Sequence, residues 1–401
     1  MPWNIQIAVA AREIDPERAR GAINAVLTIH PLTRCAVERD ERGRLSWIND
    51  DRAALGPVDA VDCPTPASLE QLRVGQLTKP LQMDCAPLMR AVVARTPDQD
   101  LLVVTISHVL TDGMGLLRLM RSIGCAYRDE SDPPPAVDVA TAQAALEPNP
   151  ATTLEGLTRQ WTTRLQLAAS QLPRRSRLAA SGGSPTGGFG FVLVSTELAA
   201  VDRARRALHA SFDPFTTAAL HVAIERWNSA RGAPCDRVGV TQGVNLRPDA
   251  WRDDAVLNLA AFASIFTDPS DRTDLARALD KVTSQIEPSR RLELAREVAT
   301  TARSLRLIPA TTRRDMLAAL PADQFDTCVI SNCGMLADPP RLDDTTQPMA
   351  WLIAPAMPAT ALTIATYAVG DRLYFNACYR RERLDADAAR RFVESFVGLL
   401  T

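Results

Sequence analysis

The segment PRRSRLAASGGSPTGGFG, residues 173–190, interrupts a chain that otherwise alternates strand-like and helix-like patterns. Glycine, serine and proline cluster there beside Arg174, Arg175 and Arg177, a composition that stops regular structure. A chain of 401 residues also exceeds what one ordinary hydrophobic core organises. The break therefore predicts two lobes: residues 1–173, a linker over 174–190, and residues 191–401. Its arginines have two readings, contact with a phosphate-bearing substrate and the plainer one of a solvated connector.

Both halves mix strands with helices, which predicts an α/β (mixed α+β) class. NIQIAVAA alternates weakly and reads as a strand. DPERARGAINAVLTIH reads as a helix with Asp15 as N-cap, Pro16 at the first turn and Ala19, Ile23, Val26 and Leu27 as its apolar stripe. CAVERDERGRLSWI predicts two strands around a polar turn, and APLMRAVVAR and DLLVVTIS predict two more. A helix is expected over TTLEGLTRQWTTRLQLAASQL. Past the break, FGFVLVSTEL and RLYFNACYRRERL read as strands, RVGVTQGVNLRP as a strand and its exit, DTCVISNCGML as a strand running into a turn, and DPFTTAALHVAIERWNSA and DADAARRFVESFVGLL as helices.

One stretch concentrates chemistry. In VVTISHVLTDGMGLL an apolar strand ends at His108, one of only four histidines, and Asp112 and Gly113 precede an apolar helix pattern. A histidine at a strand exit presents its ring on a rigid frame, and its reference pKa suits a general base. Asp112 can hold the loop by accepting hydrogen bonds or meeting an arginine, and Gly113 admits a turn that a side chain would obstruct. In isolation such a pattern is more often structural than catalytic.

The segment SHVLTDG resembles the HxxxDG motif of the chloramphenicol-acetyltransferase-like superfamily, which includes condensation domains of peptide synthetases and polyketide-associated acyltransferases. Many members have HHxxxDG; here Ser107 stands at the first histidine, while His108 keeps the second, which that family uses as base. The resemblance extends in order along the chain, through the HP…R strand entry of HPLTRCAV, PLMRA, GVNLRP, VISNCG as an SNxG turn, and the closing YRRERLDADAARRF. It implies two lobes forming a V with an active-site tunnel between them. His108 would take a proton from an amine or alcohol acceptor as it attacks an acyl thioester. Ser331 and Asn332 are candidates for the oxyanion donor or tunnel wall. Arg247 of GVNLRP is either the ion partner of Asp112 or a solvated strand-end charge. No permanently bound cofactor is implied; the donor would be a phosphopantetheine thioester, on a carrier protein or coenzyme A. The reading is thus a stand-alone condensation-like acyltransferase of natural-product biosynthesis, forming an amide or ester. Its competitors are a non-catalytic recruitment module and a cyclisation or epimerisation enzyme on the same fold.

Other classes fit poorly. A formal net charge of -2 gives no basic footprint for nucleic acid. The eight cysteines form no CxxC pair, so a metal site and a disulfide framework are both disfavoured, and reduced thiols point to the cytoplasm. The long charge-free stretch near residues 345–370 is broken by Pro348, Pro355 and Pro358, so a buried strand over ALTIATYAV is expected rather than a membrane span. His30, His209 and His221 read as structural, and Cys328 and Cys333 as core thiols rather than nucleophiles.

Overall fold

The computed structural model describes residues 3–41, 45–135, 173–184, 187–248, 254–286, 321–344, 349–354 and 360–401, with isolated positions between them. The chain packs as two α/β units, but they are not the two halves that the break suggested. The first comprises residues 1–143 with two later pieces, Arg247–Leu259 and Leu336–Pro355, and the second comprises the remainder. Leu178 and Ala179, expected in a solvated linker, are instead buried in the core of the second unit. The helix expected over residues 152–172 lies almost wholly outside the described residues.

In the first unit, β1 (Asn4–Ala11) lies between β11 (Met349–Ile353) and β6 (Asp100–Ser107), antiparallel to both. Strand β5 (Met89–Arg95) pairs antiparallel with β6, and β4 (Asp59–Asp62) closes the edge parallel to β5. The order is β11-β1-β6-β5-β4. β1 and β6 are buried along their whole length, which explains why their sequences alternate so weakly. β2 (Cys35–Arg39) and β3 (Leu45–Asn49) form a separate antiparallel pair.

Helix α1 (Pro16–Ile29) begins as its sequence predicts. Asp15 Oδ1 accepts from Glu17 N at 2.9 Å, a cap that stabilises by about 1 kcal/mol. Ala19, Ile23, Val26 and Leu27 are buried. α1 packs on α3 (Gly113–Tyr127), and α2 (Pro66–Thr78) lies against the same sheet. The capping box of Thr65 and Ser68 starts α2.

The second unit is built on a six-stranded mixed sheet of β7 (Phe189–Glu197), β8 (Val238–Asn245), β9 (Ala260–Thr267), β10 (Cys328–Met335), β12 (Leu362–Val369) and β13 (Arg372–Arg380). Its order is β7-β13-β12-β10-β8-β9, with β10 parallel to both β12 and β8. The helices of this unit are α4 (Leu198–Ala207), α5 (Phe212–Ser229), α6 (Leu275–Ile286) and α7 (Ala386–Val397). Phe215, Ile224, Phe392 and Phe396 from α5 and α7 share the core with Ile330, Ile364 and Phe375 of the sheet. Among the described residues no helix is long and apolar enough to cross a membrane, and ALTIATYAV is the buried strand β12.

Candidate active site

The candidate site grows from the end of β6. Ser107 is the last strand residue; its N–H donates to Leu88 O at 3.0 Å. Its hydroxyl, at the position of the first motif histidine, accepts from Val109 N at 3.3 Å and so shapes the turn that follows. Leu110 N then donates back to Ser107 O at 3.0 Å.

His108 is fixed at three points. Its N–H donates to Trp3 O at 2.6 Å, and its carbonyl accepts from Asn258 Nδ2 at 2.6 Å. Its ring Nδ1 lies 2.8 Å from Thr111 O. A carbonyl oxygen only accepts, so Nδ1 carries a proton, and in the neutral ring Nε2 carries the lone pair. Among the described residues nothing hydrogen-bonds Nε2. The residue is 8% exposed, and the indole of Trp3 lies beside it with ring centroids 6.2 Å apart. An imidazole held by one nitrogen, with a basic second nitrogen in a nearly dry setting, can accept a proton without first turning.

Asp112 is a positioning residue. Oδ1 caps α3 by accepting from Gly115 N at 2.9 Å. Oδ2 accepts from Arg247 Nη1 at 2.6 Å and from Leu259 N at 2.8 Å. Arg247 also donates Nη2 to Leu257 O at 2.7 Å and to Ala255 O at 3.1 Å. The side chains are 0% and 5% exposed, so this is a buried, multiply bonded ion pair rather than a solvated strand-end charge. Such a pair specifies geometry more than it adds net stability. It ties the piece Arg247–Leu259 to the turn that presents His108.

Gly113 is simply the first helical residue of α3. Gly115 is crowded: a Cβ there would stand 2.1 Å from Thr111 Oγ1 and 3.1 Å from Leu257 N and O.

Ser331 and Asn332 belong to the second unit and lie within β10, not in a turn. The strand runs on past a register shift between Asn332 and Met335, with Gly334 at φ +76°. Asn332 Nδ2 donates to Asp213 Oδ1 at 2.8 Å and to Thr216 Oγ1 at 3.3 Å, and its Oδ1 accepts from the Thr366 hydroxyl. Both amide hydrogens are bonded to side chains of α5, so the Asn332 side chain brackets helix and sheet. Ser331 is half-buried, facing Gly243.

Thr111, Asn258, Gly115 and Trp3 complete the His108 loop and were not singled out in the sequence. Only the second glycine of DGMG carried a local signal; Asn258 sits in an unremarkable AVLN run. Two of the other histidines, His30 and His221, make structural contacts. His30 Nε2 meets Ser122 Oγ at 2.8 Å, and burial, with Arg118 next, lowers its pKa to about 4. His221 Nδ1 meets Thr267 Oγ1 at 2.8 Å, and burial, with Arg272 next, lowers its pKa to about 3. Burial pushes the Cys328 thiol far up, which removes it as a nucleophile. Among the described residues no group of three or more His, Cys, Asp or Glu could hold a metal ion.

The model of the condensation-domain family matches residues 2–235, more than half of the chain. An uncharacterized protein of Mycobacterium tuberculosis is 27% identical over 381 residues, covering 91% of this chain and 85% of that protein. A plipastatin synthase of Bacillus subtilis is 26% identical over 131 residues, which is 30% of this chain and 5% of that much longer protein. Among solved structures, the first condensation domain of the calcium-dependent antibiotic synthetase, in complex with a substrate analogue, superposes with a TM-score of 0.72 at 14% identity, covering 99% of this chain and 90% of that one. The cyclization-docking bidomain of EpoB from Sorangium cellulosum gives 0.72 at 14%, over 100% and 80%. The epimerization domain of tyrocidine synthetase B gives 0.64 at 14%, over 99% and 91%. Those likenesses establish a shared fold, and with the family match they place this protein: the chain belongs to the condensation-domain family.

Proposed function

We propose that this protein is a condensation-type acyltransferase that uses His108 as general base. Family membership supports acyl-transfer chemistry, and the local geometry supports the assignment to this residue. The observation that carries it is the bond between His108 Nδ1 and Thr111 O, which leaves Nε2 as the basic nitrogen. In the reaction, Nε2 takes the proton of an amine or alcohol as that atom attacks the carbonyl carbon of an acyl thioester. The new C–N or C–O bond forms, the C–S bond breaks, and the proton passes from the imidazolium to the departing thiolate. No acyl-enzyme is needed when donor and acceptor are held together. The donor is a phosphopantetheine thioester, on a carrier protein or coenzyme A, in natural-product assembly.

The test incubates purified protein with acyl-coenzyme A and acyl-carrier thioesters and a panel of amines and alcohols, reading product mass. His108→Ala runs beside wild type. New amide or ester masses that fall about 10²–10⁴-fold in the variant are expected. Equal product from both proteins refutes His108 as the base, and absence of product with every pair removes the acyltransferase reading in favour of a recruitment module. Mass also separates related reactions on this fold: isomerisation leaves it unchanged, and cyclodehydration lowers it by one water.

A further inference from the structure

The basic segment at residues 174–179 does not act as a connector. Arg175 N donates to Asp323 O at 2.7 Å and Ser176 N to Arg237 O at 2.7 Å. Thr327 Oγ1 donates to Ser176 O at 2.6 Å, Asn228 Nδ2 to Arg177 O at 2.9 Å and Trp227 Nε1 to Ala179 O at 2.9 Å. Backbone groups of Arg175, Ser176, Arg177 and Ala179 are thus strapped to the second unit, where β8 and β10 begin. Side chains on so fixed a frame are presented rather than left to wander.

They border a cavity of about 400 Å³ whose lining includes Arg174, Arg175, Arg177 and Arg383, with one carboxylate, Asp236, among the lining residues described. Arg174 meets Asp323 at 3.4 Å and Arg175 meets Asp326 at 3.4 Å. Arg177 and Arg383 form no ion pair among the described residues. Arg383 Nη2 donates to Leu178 O at 2.6 Å, while its Nε is buried without a hydrogen-bond partner. Burial lowers the pKa of Arg383, the neighbouring Arg177 adds to that lowering by like-charge repulsion, and Glu382, itself paired with Arg380, opposes it.

Two guanidiniums on one pocket wall, neither in an ion pair among the described residues, offer several donors to phosphate oxygens. The cavity has the size of small-molecule sites and exceeds a bare phosphate, so an organic body belongs with the anion. A chain of net charge -2 has no general field for a polyanion, which favours a compact ligand. We propose that this pocket of the second unit is a binding site for the phosphate monoester of a soluble small molecule, carried by residues other than those of the His108 loop.

Calorimetric titration of the whole chain tests it, with adenosine 5′-monophosphate, inorganic phosphate and adenosine as probes. Wild type runs beside Arg177→Gln and Arg383→Gln. The ester is expected to bind more tightly than inorganic phosphate, adenosine is not expected to bind, and each substitution should weaken the ester roughly tenfold. Added salt should weaken it further. Arg383 also holds Leu178 O, so its variant is checked by circular dichroism; Arg177 is exposed and keeps the test decisive if that variant unfolds. Failure of both phosphate probes to bind overturns the proposal. So does ester binding unchanged by Arg177→Gln, or binding of inorganic phosphate without the ester.

Discussion

Arg247→Ala is the sharpest test of how the His108 loop is held. The substitution removes the ion pair to Asp112 at 2.6 Å and two donors, to Leu257 O and Ala255 O. Asp112, whose side chain is 5% exposed, keeps only the N–H groups of Gly115 and Leu259. A carboxylate left buried without its cation costs about 3–5 kcal/mol. For a unit of this size each kcal/mol moves the midpoint by roughly 2–4 °C, so the transition of the first unit should fall by roughly 6–20 °C. Scanning calorimetry of the whole chain reads it, with the exposed Arg277→Ala as a control expected to stay near wild type. Asp112→Asn alone should cost a similar amount by stranding the guanidinium. The double variant Asp112→Asn/Arg247→Ala should cost less than the sum of the two single variants, by about 2 kcal/mol or more. A fall of under about 2 °C for Arg247→Ala, or strict additivity in the double variant, refutes the claim that this pair organises the loop.

Three further outcomes follow from the packing. Gly115→Ala should destabilise by about 1–3 kcal/mol, since its Cβ meets Thr111 and the Leu257 backbone, whereas Gly21→Ala, with open space in α1, should stabilise by up to about 1 kcal/mol; denaturant midpoints compare them. Asn332→Ala should cost about 1–3 kcal/mol by removing the bonds to Asp213 and Thr366 yet leave turnover per folded molecule unchanged; a selective loss of turnover would support Asn332 as an oxyanion donor. For pH, His30 holds a folded pKa of about 4 against 6.5 in the unfolded chain. The unfolded chain therefore binds the proton first. Stability from neutral His30 is full above 6.5 and declines by about 3 kcal/mol as pH falls toward 4, so the unfolding midpoint should drop over that window and drop less in His30→Leu.

Much of this was legible in the sequence where the signals are local. The Asp15–Pro16 helix start, the β6 run into His108 and the DG helix entry each depend on neighbours within a few residues. Signals that depend on distant packing were not. β4 is four exposed residues, and β9, AAFASIFT, lacks the clean alternation of a half-buried strand. The basic segment at 174–179 has a linker's composition, yet Asn228, Trp227 and Thr327, which strap it, come from far along the chain. SNCG resembles the family's SNxG turn, but pairing with β12 draws it into β10. The partner of Asp112 was named from a family resemblance; nothing in the spacing alone joins residues so far apart.

That separation sets a schedule for the newborn chain. Arg247 emerges 135 residues after Asp112, a wait of roughly 7–27 s at ordinary rates of synthesis. β11, which covers one edge of β1, arrives later still, and Arg12 N waits 331 residues for Asp343. Until then the first sheet carries an open edge and an uncompensated carboxylate beside the HxxxDG turn, the condition in which nascent chains stick to one another. A gene truncated at residue 235, where the family match ends, would encode the whole motif and none of the later pieces that seat it. Such a product would be expected to reach the soluble fraction only with help from a chaperone or from the missing half supplied in trans.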